Sequence, residues 1–177
     1  MAFRFAFIIW ALATSALCSA ATFVVTSAAD TGGSVCGGNC TLRQAITAAN
    51  ATAAADTINF AILLPIRGEI LISPATSLPS ITQPLTINGY SQSGTQPNDD
   101  PIVSNAILRI RIDGAATSSA DGLNVCAPNV TIRGLAITRF EFRGILASSA
   151  CGASATQIHG NFIGLTTAGL APAGTQM

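Results

Sequence analysis

Apolar and polar positions alternate along this chain in short bursts, and the bursts repeat. Four times an isoleucine stands between two polar residues and a glycine follows: Thr86-Ile87-Asn88-Gly89, Arg111-Ile112-Asp113-Gly114, Thr131-Ile132-Arg133-Gly134 and Gln157-Ile158-His159-Gly160. The isoleucines are 25, 20 and 26 residues apart. A period of two is the mark of a strand with one buried face. Self-similarity at about 20–50 residues is the mark of stacked repeats. Glycine at the end of each phrase supplies a positive φ or a close backbone approach where the chain turns. The pattern predicts an all-β fold, a parallel β-helix in which Ile87, Ile112, Ile132 and Ile158 pile into one interior file.

Other elements fall around these phrases. Thr22 to Ser27 is β-branched and aromatic and reads as the first strand, and Ala28 to Asn39, with four glycines, reads as a loop. A helix is predicted next. Thr41 at the N-cap and Gln44 three residues on form a capping box. Leu42, Ala45, Ile46 and Ala49 then share one helical face, and Asn50 is a stop. Laid across the first rung, Leu42 and Ile46 would cover an open apolar end and its unpaired strand edge.

Strands follow from Asp56, from Glu69 and from Leu85, with Pro74, Pro79 and Pro84 breaking the chain between them. Ser91 to Ser104 is polar and reads as a loop, and Leu108, Ile110 and Ile112 alternate with Arg109 and Arg111. Leu123 and Ile145, 22 residues apart, and Ile137 and Ile163, 26 apart, suggest two further strand families. One outer column would read Thr86, Arg111, Thr131, Gln157 and the next Asn88, Asp113, Arg133, His159, with Asp113 paired to Arg133.

Composition narrows the function. The 177 residues carry no net charge, 9% are charged and 49% hydrophobic, and there is no lysine. Nucleic-acid binding needs a dense basic surface and is not expected; nor is disorder. Residues 1–20 read as a signal peptide: Arg4, the apolar run Phe5 to Leu17, then the small residues Cys18 to Ala21. The run is shorter than a spanning helix needs, so no stable membrane span is expected after cleavage. Four cysteines then remain, and an even number in an exported chain suggests disulfides. Three pairings of the four are open to the sequence; Cys36 and Cys40 are close enough to staple the loop before the helix, and Cys126 and Cys151 each follow an equivalent strand on adjacent coils. The spacing of Cys36 and Cys40 alone is weak evidence for zinc, and disulfides are preferred.

Cys40-Thr41-Leu42-Arg43-Gln44-Ala45-Ile46, with Ala48-Ala49-Asn50 and Asp56 to Phe60, resembles the N-terminal signature of bacterial exported right-handed parallel β-helix proteins with a CSLREA-type motif. Ile87 to Gln92 and Gly160 to Gly164 resemble the same group, and the similarity runs from Thr22 to about Gly174. Thr41 and Gln44 replace the Ser and Glu of the motif and keep the capping box. The resemblance implies a right-handed parallel β-helix of the pectin-lyase-like kind, and a secreted or cell-surface location. The expected organisation is a cap over residues 22–56 and coils over 57–177, truncated at the C-terminal end as the N-terminal piece of a longer solenoid. Its last edge would then be open to self-association.

A regular face with repeated polar columns suits a repeating ligand, a polysaccharide or cell-surface glycan. Arg111, Asp113, Arg133 and His159 are the candidate contacts. A lyase or epimerase acting on uronate-containing glycans is the alternative, with His159 as base and arginines on the uronate carboxylate. As the single histidine on a solvated strand, His159 reads first as an exposed column residue, so no catalytic residue is assigned. Arg139 to Arg143 reads as a solvated corner, with contact to a sugar ring as its functional alternative. Asn98-Asp99-Asp100 is the place for calcium, but it lacks the spaced glycine and bidentate glutamate of a dedicated loop and reads as polar loop. No cofactor or metal is therefore expected.

Overall fold

Among the described residues, short β-branched runs form eleven strands. They are β1 (Thr22–Val25), β2 (Asp56–Phe60), β3 (Ile70–Ile72), β4 (Leu85–Asn88), β5 (Ile110–Asp113), β6 (Leu123–Val125), β7 (Thr131–Arg133), β8 (Leu135–Thr138), β9 (Ile145–Ala147), β10 (Gln157–His159) and β11 (Phe162–Ile163). An α-helix, α1 (Leu42–Ala49), lies between β1 and β2. The computed structural model describes residues 19–63 and 68–172. The expected signal peptide therefore lies outside the described residues, except for its last two positions.

The strands make three parallel sheets. The first has the order β1-β2-β4-β7-β10, the second β3-β5-β8-β11, and the third is the pair β6-β9. In the first sheet Ile58, Ile87, Ile132 and Ile158 are register partners on successive strands. In the second, Ile72, Ile112, Ile137 and Ile163 are aligned in the same way. Leu123 faces Ile145 in the third. Ile58, Ile87, Ile132, Ile112, Ile137 and Leu123 are at most 1% exposed, and together they bring the three sheets onto one core. Full burial of each such side chain contributes about 1.5–3 kcal/mol before entropy is charged against it.

Helix α1 belongs to that core. The Thr41 hydroxyl accepts from the Gln44 N–H while the Gln44 side-chain carbonyl accepts from the Thr41 N–H, at 3.2 and 3.0 Å. Leu42, Ala45, Ile46 and Ala49 are buried, and the helix packs against β1 and β2. Arg43 fixes it from outside, paired with Asp30 at 2.8 Å and donating to the carbonyls of Thr76 and Ser77. Asn50 holds the same loop through the Ser80 carbonyl and the Thr82 N–H.

Two expectations are corrected here. The chain is of α/β type, with several parallel sheets and, among the described residues, one α-helix; it is not the all-β right-handed parallel β-helix, and the sheets do not close into a solenoid. The third sheet is the reason, because it has only two strands against five and four. Before β6 its wall is missing. The segment that would supply it carries Pro74, Pro79 and Pro84, which have no N–H to donate, and only an isolated bridge from Ile81 to Val125 forms. The second correction concerns the interior file. Arg111-Ile112-Asp113 lies on β5 in the second sheet, so Ile112 is not stacked between Ile87 and Ile132. Those two isoleucines pair directly.

The glycine after each phrase has a steric cause. Gly134 has φ +73°, and a Cβ there would lie 2.6 Å from the Tyr90 backbone nitrogen. A Cβ on Gly89 would come within 2.1 Å of the Gly134 carbonyl oxygen. Side chains are excluded because successive corners touch.

Candidate ligand-binding face

Alternation decides which residues reach solvent on the first sheet. With Ile58, Ile87 and Ile132 turned inward, the neighbours on either side turn outward in register. One column is Thr57, Thr86, Thr131 and Gln157; the other is Asn59, Asn88, Arg133 and His159. Parallel neighbours lie about 4.8 Å apart, so each column offers hydrogen-bonding groups at that repeat. The six members on β2, β4 and β7 are half-buried, whereas Gln157 and His159 on β10 are exposed. Asn88 Nδ2 donates to Asn59 Oδ1 at 3.3 Å. The Tyr90 hydroxyl donates to the Gly160 carbonyl at 2.8 Å and closes one border of the face. Two enclosed atoms in the second column have no hydrogen-bond partner, the acceptor Asn88 Oδ1 and the donor Arg133 Nε.

The structure divides the four candidate contacts between two sheets. Arg133 and His159 stand side by side on the first, as register partners of β7 and β10. Arg111 and Asp113 belong to the second, so the expected columns through Arg111 and Asp113 and the expected Asp113–Arg133 pair are not formed. Asp113 binds Arg139 instead. Its carboxylate is fully buried and accepts from Arg139 Nε and Nη2 at 2.9 and 2.8 Å. Arg111 Nη1 lies 3.5 Å from Asp113 Oδ2.

Arg111 also meets Glu69. Its Nε is 2.7 Å from Glu69 Oε1, an ion pair by distance without hydrogen-bond alignment. Glu69 Oε2 accepts from the Thr167 hydroxyl and N–H. Burial pushes the Asp113 carboxyl up, but hydrogen bonds from Arg139 and the Ala115 N–H, with the charges of Arg139 and Arg111, outweigh it and hold the group below the usual carboxylate range. Each carboxylate in this run is thus engaged by a guanidinium, which is the arrangement of a structural ion network.

Sequence reasoning missed Arg139 as the partner of Asp113. The signal was in the spacing. The two are 26 residues apart, the interval that also separates Ile132 from Ile158. Near the calcium candidate, Asp100 Oδ1 accepts from the Ile102 and Val103 N–H groups, and Asp99 Oδ1 accepts from the Asn105 amide. Among the described residues there is no cluster of three or more His, Cys, Asp or Glu side chains that could hold a metal ion.

The cysteines pair as Cys36–Cys40 and Cys126–Cys151, with Cα–Cα distances of 4.6 and 4.9 Å. The second disulfide joins Cys126, the residue after β6, to Cys151 in the 3-10 turn (Ser149–Cys151) that follows β9, and β6 and β9 are register neighbours in the third sheet. Two disulfides are compatible with an exported protein. Among the described residues no helix is long and apolar enough to cross a membrane.

The class these features define is an α/β protein of open parallel sheets with a polar, laddered outer face. No family model, no curated protein and no solved structure matches the chain.

Proposed function

We propose that this is an exported module, secreted or held at the cell surface, that binds glycans or adheres through the polar face of the first sheet. The observation that carries the proposal is the pair of registered columns, with the unpartnered Asn88 Oδ1 and Arg133 Nε inside one of them. Hydroxyls both donate and accept, so a chain of sugar residues suits threonine hydroxyls, asparagine amides and a guanidinium at a constant repeat. The two disulfides and the likeness of Cys40 to Ile46 to an export-associated signature support the location. A lyase or epimerase acting on uronate-containing glycans remains a second reading, resting on Arg133 and His159 as neighbours on one face.

A glycan array that includes uronate polymers, run beside an assay for unsaturated products, tests both. Binding that weakens roughly tenfold in Arg133→Ala, the loss expected for one charge-assisted hydrogen bond, supports the module. Unsaturated products lost in His159→Ala would replace it with the enzyme. Retention of no glycan on the array would overturn the binding proposal.

The proposal includes self-association through the edge made by β9, β10 and β11. Ile158 on β10 and Ile163 on β11 are 42% and 51% exposed there, which supports it. Light scattering over a concentration series is the measurement, and a monodisperse monomer throughout would count against it.

A further inference from the structure

A hollow of about 230 Å³ opens beside the third sheet, away from the polar columns. Its walls come from three separate segments. Ser77, Leu78 and Ser80 precede the Ile81 bridge, Ser119 to Asp121 precede β6, and Phe142 and Arg143 form the turn before β9; Asn124 on β6 lies at the back. A volume somewhat below the roughly 300–1,000 Å³ of drug-sized sites suits a single small ring.

The polar groups converge and several are unused. Asn124 Nδ2 donates to Ser80 Oγ at 2.9 Å, which fixes the amide and leaves the Ser80 proton free. Asn124 Oδ1 has Cys126 Sγ as its neighbour at 3.7 Å, and that sulfur, bound in a disulfide, has no proton to give. Asp121 accepts from Arg143 Nε, Nη2 and backbone N–H at 2.7, 3.2 and 3.1 Å. That pair holds the turn in place and cancels its own charge.

Phe142 stands 57% exposed beside these groups. A lone exposed phenylalanine needs no explanation. One set next to an open acceptor, free hydroxyls and a neutralised ion pair matches a ligand with one apolar face and a hydroxylated rim. We infer that the hollow binds one neutral pyranose ring, its C–H face on Phe142 and its hydroxyls on Asn124, Ser80 and Arg143. A uronate is disfavoured because Asp121 already neutralises the only cation lining the hollow. The inference does not depend on the first-sheet face, since a monosaccharide is too short to follow the columns.

The test is a titration of the disulfide-bonded protein with the methyl glycosides of glucose, galactose, mannose and galacturonic acid, followed by amide and side-chain NMR shifts. The expected result is saturable shifts at Asn124, Asp121, Phe142 and Arg143 with at least one neutral glycoside, at a Kd in the range of about 1 mM or weaker. Phe142→Ala should weaken it roughly tenfold and Phe142→Tyr should keep it, because the contact is with the ring face. Asn124→Ala gives a second check that leaves the turn intact. The inference fails if no glycoside shifts these signals up to roughly 100 mM, if Phe142→Ala titrates like the parent, or if only the uronate binds.

Discussion

The two ends of the first sheet share a strand pattern and differ in what surrounds it. Ile58 and Ile158 both sit between polar residues on short parallel strands of one register file. Ile58 is fully buried, whereas Ile158 is 42% exposed. At the β2 end the file is backed by α1 and closed by β1. At the β10 end, among the described residues, only β7 is paired with the strand, and Gln157, Ile158 and His159 are all exposed. An identical local pattern therefore specifies a strand and its facing, while neighbours on both sides determine what the burial is worth.

Truncating the file at its centre and at its end measures that difference directly. Ile87→Ala should cost about 2–5 kcal/mol in equilibrium denaturation, because the cavity is enclosed by β2, β7 and the second sheet. Ile158→Ala should cost less than about 1 kcal/mol, since water already reaches the side chain. Equal losses at the two positions would mean that the β10 end is covered in solution.

The ion network sharpens the contrast from the second sheet. Arg139→Ala leaves the Asp113 carboxylate buried and half-compensated, and should destabilise by about 3–5 kcal/mol. The double variant with Asp113→Asn should recover part of the loss. Because the folded carboxyl is held below its unfolded value, its contribution is present above the unfolded pKa and lost as pH falls through the folded one. Stability should therefore drop below about pH 4 in the parent and drop less in Asp113→Asn, as thermal melts between neutral and acid pH would register.

The disulfides act through the unfolded chain. Cys126–Cys151 closes a separation of 25 residues and Cys36–Cys40 one of 4. Chain-entropy reasoning gives about 3.5 and about 2 kcal/mol. Cys126→Ser should also loosen β9, and denaturation of the two single variants under matched conditions would show whether that order holds.

Much of the strand structure was legible, for identifiable reasons. The pairing of Ile87, Ile132 and Ile158, of Ile137 with Ile163 and of Leu123 with Ile145 follows from repeated phrases that mark position and facing. The capping box at Thr41 and Gln44 is a local motif that its four residues complete by themselves. Closure of the sheets was misread because it depends on a third wall, and the prolines before β4 deny that wall its donors. Arg111-Ile112-Asp113-Gly114 was placed in the wrong sheet because the phrase encodes a strand followed by a tight corner and says nothing of which sheet it joins. The Asp113–Arg139 pair was missed for a related reason. Arg139 reaches it from a corner with φ +57°, outside any strand, where alternation carries no information. The hollow under Phe142 is assembled from three distant segments, and only the 22-residue interval between Asp121 and Arg143, equal to that between Leu123 and Ile145, hinted at it.

Amide hydrogen exchange tests most directly the claim that one register file runs from a sealed end to an open one. Amides in β2, β4 and β7 should exchange only through global unfolding, and those in β10 and β11 through local opening at far lower free energy. Uniform protection across all five strands, or slower exchange in β10 than in β4, would contradict it.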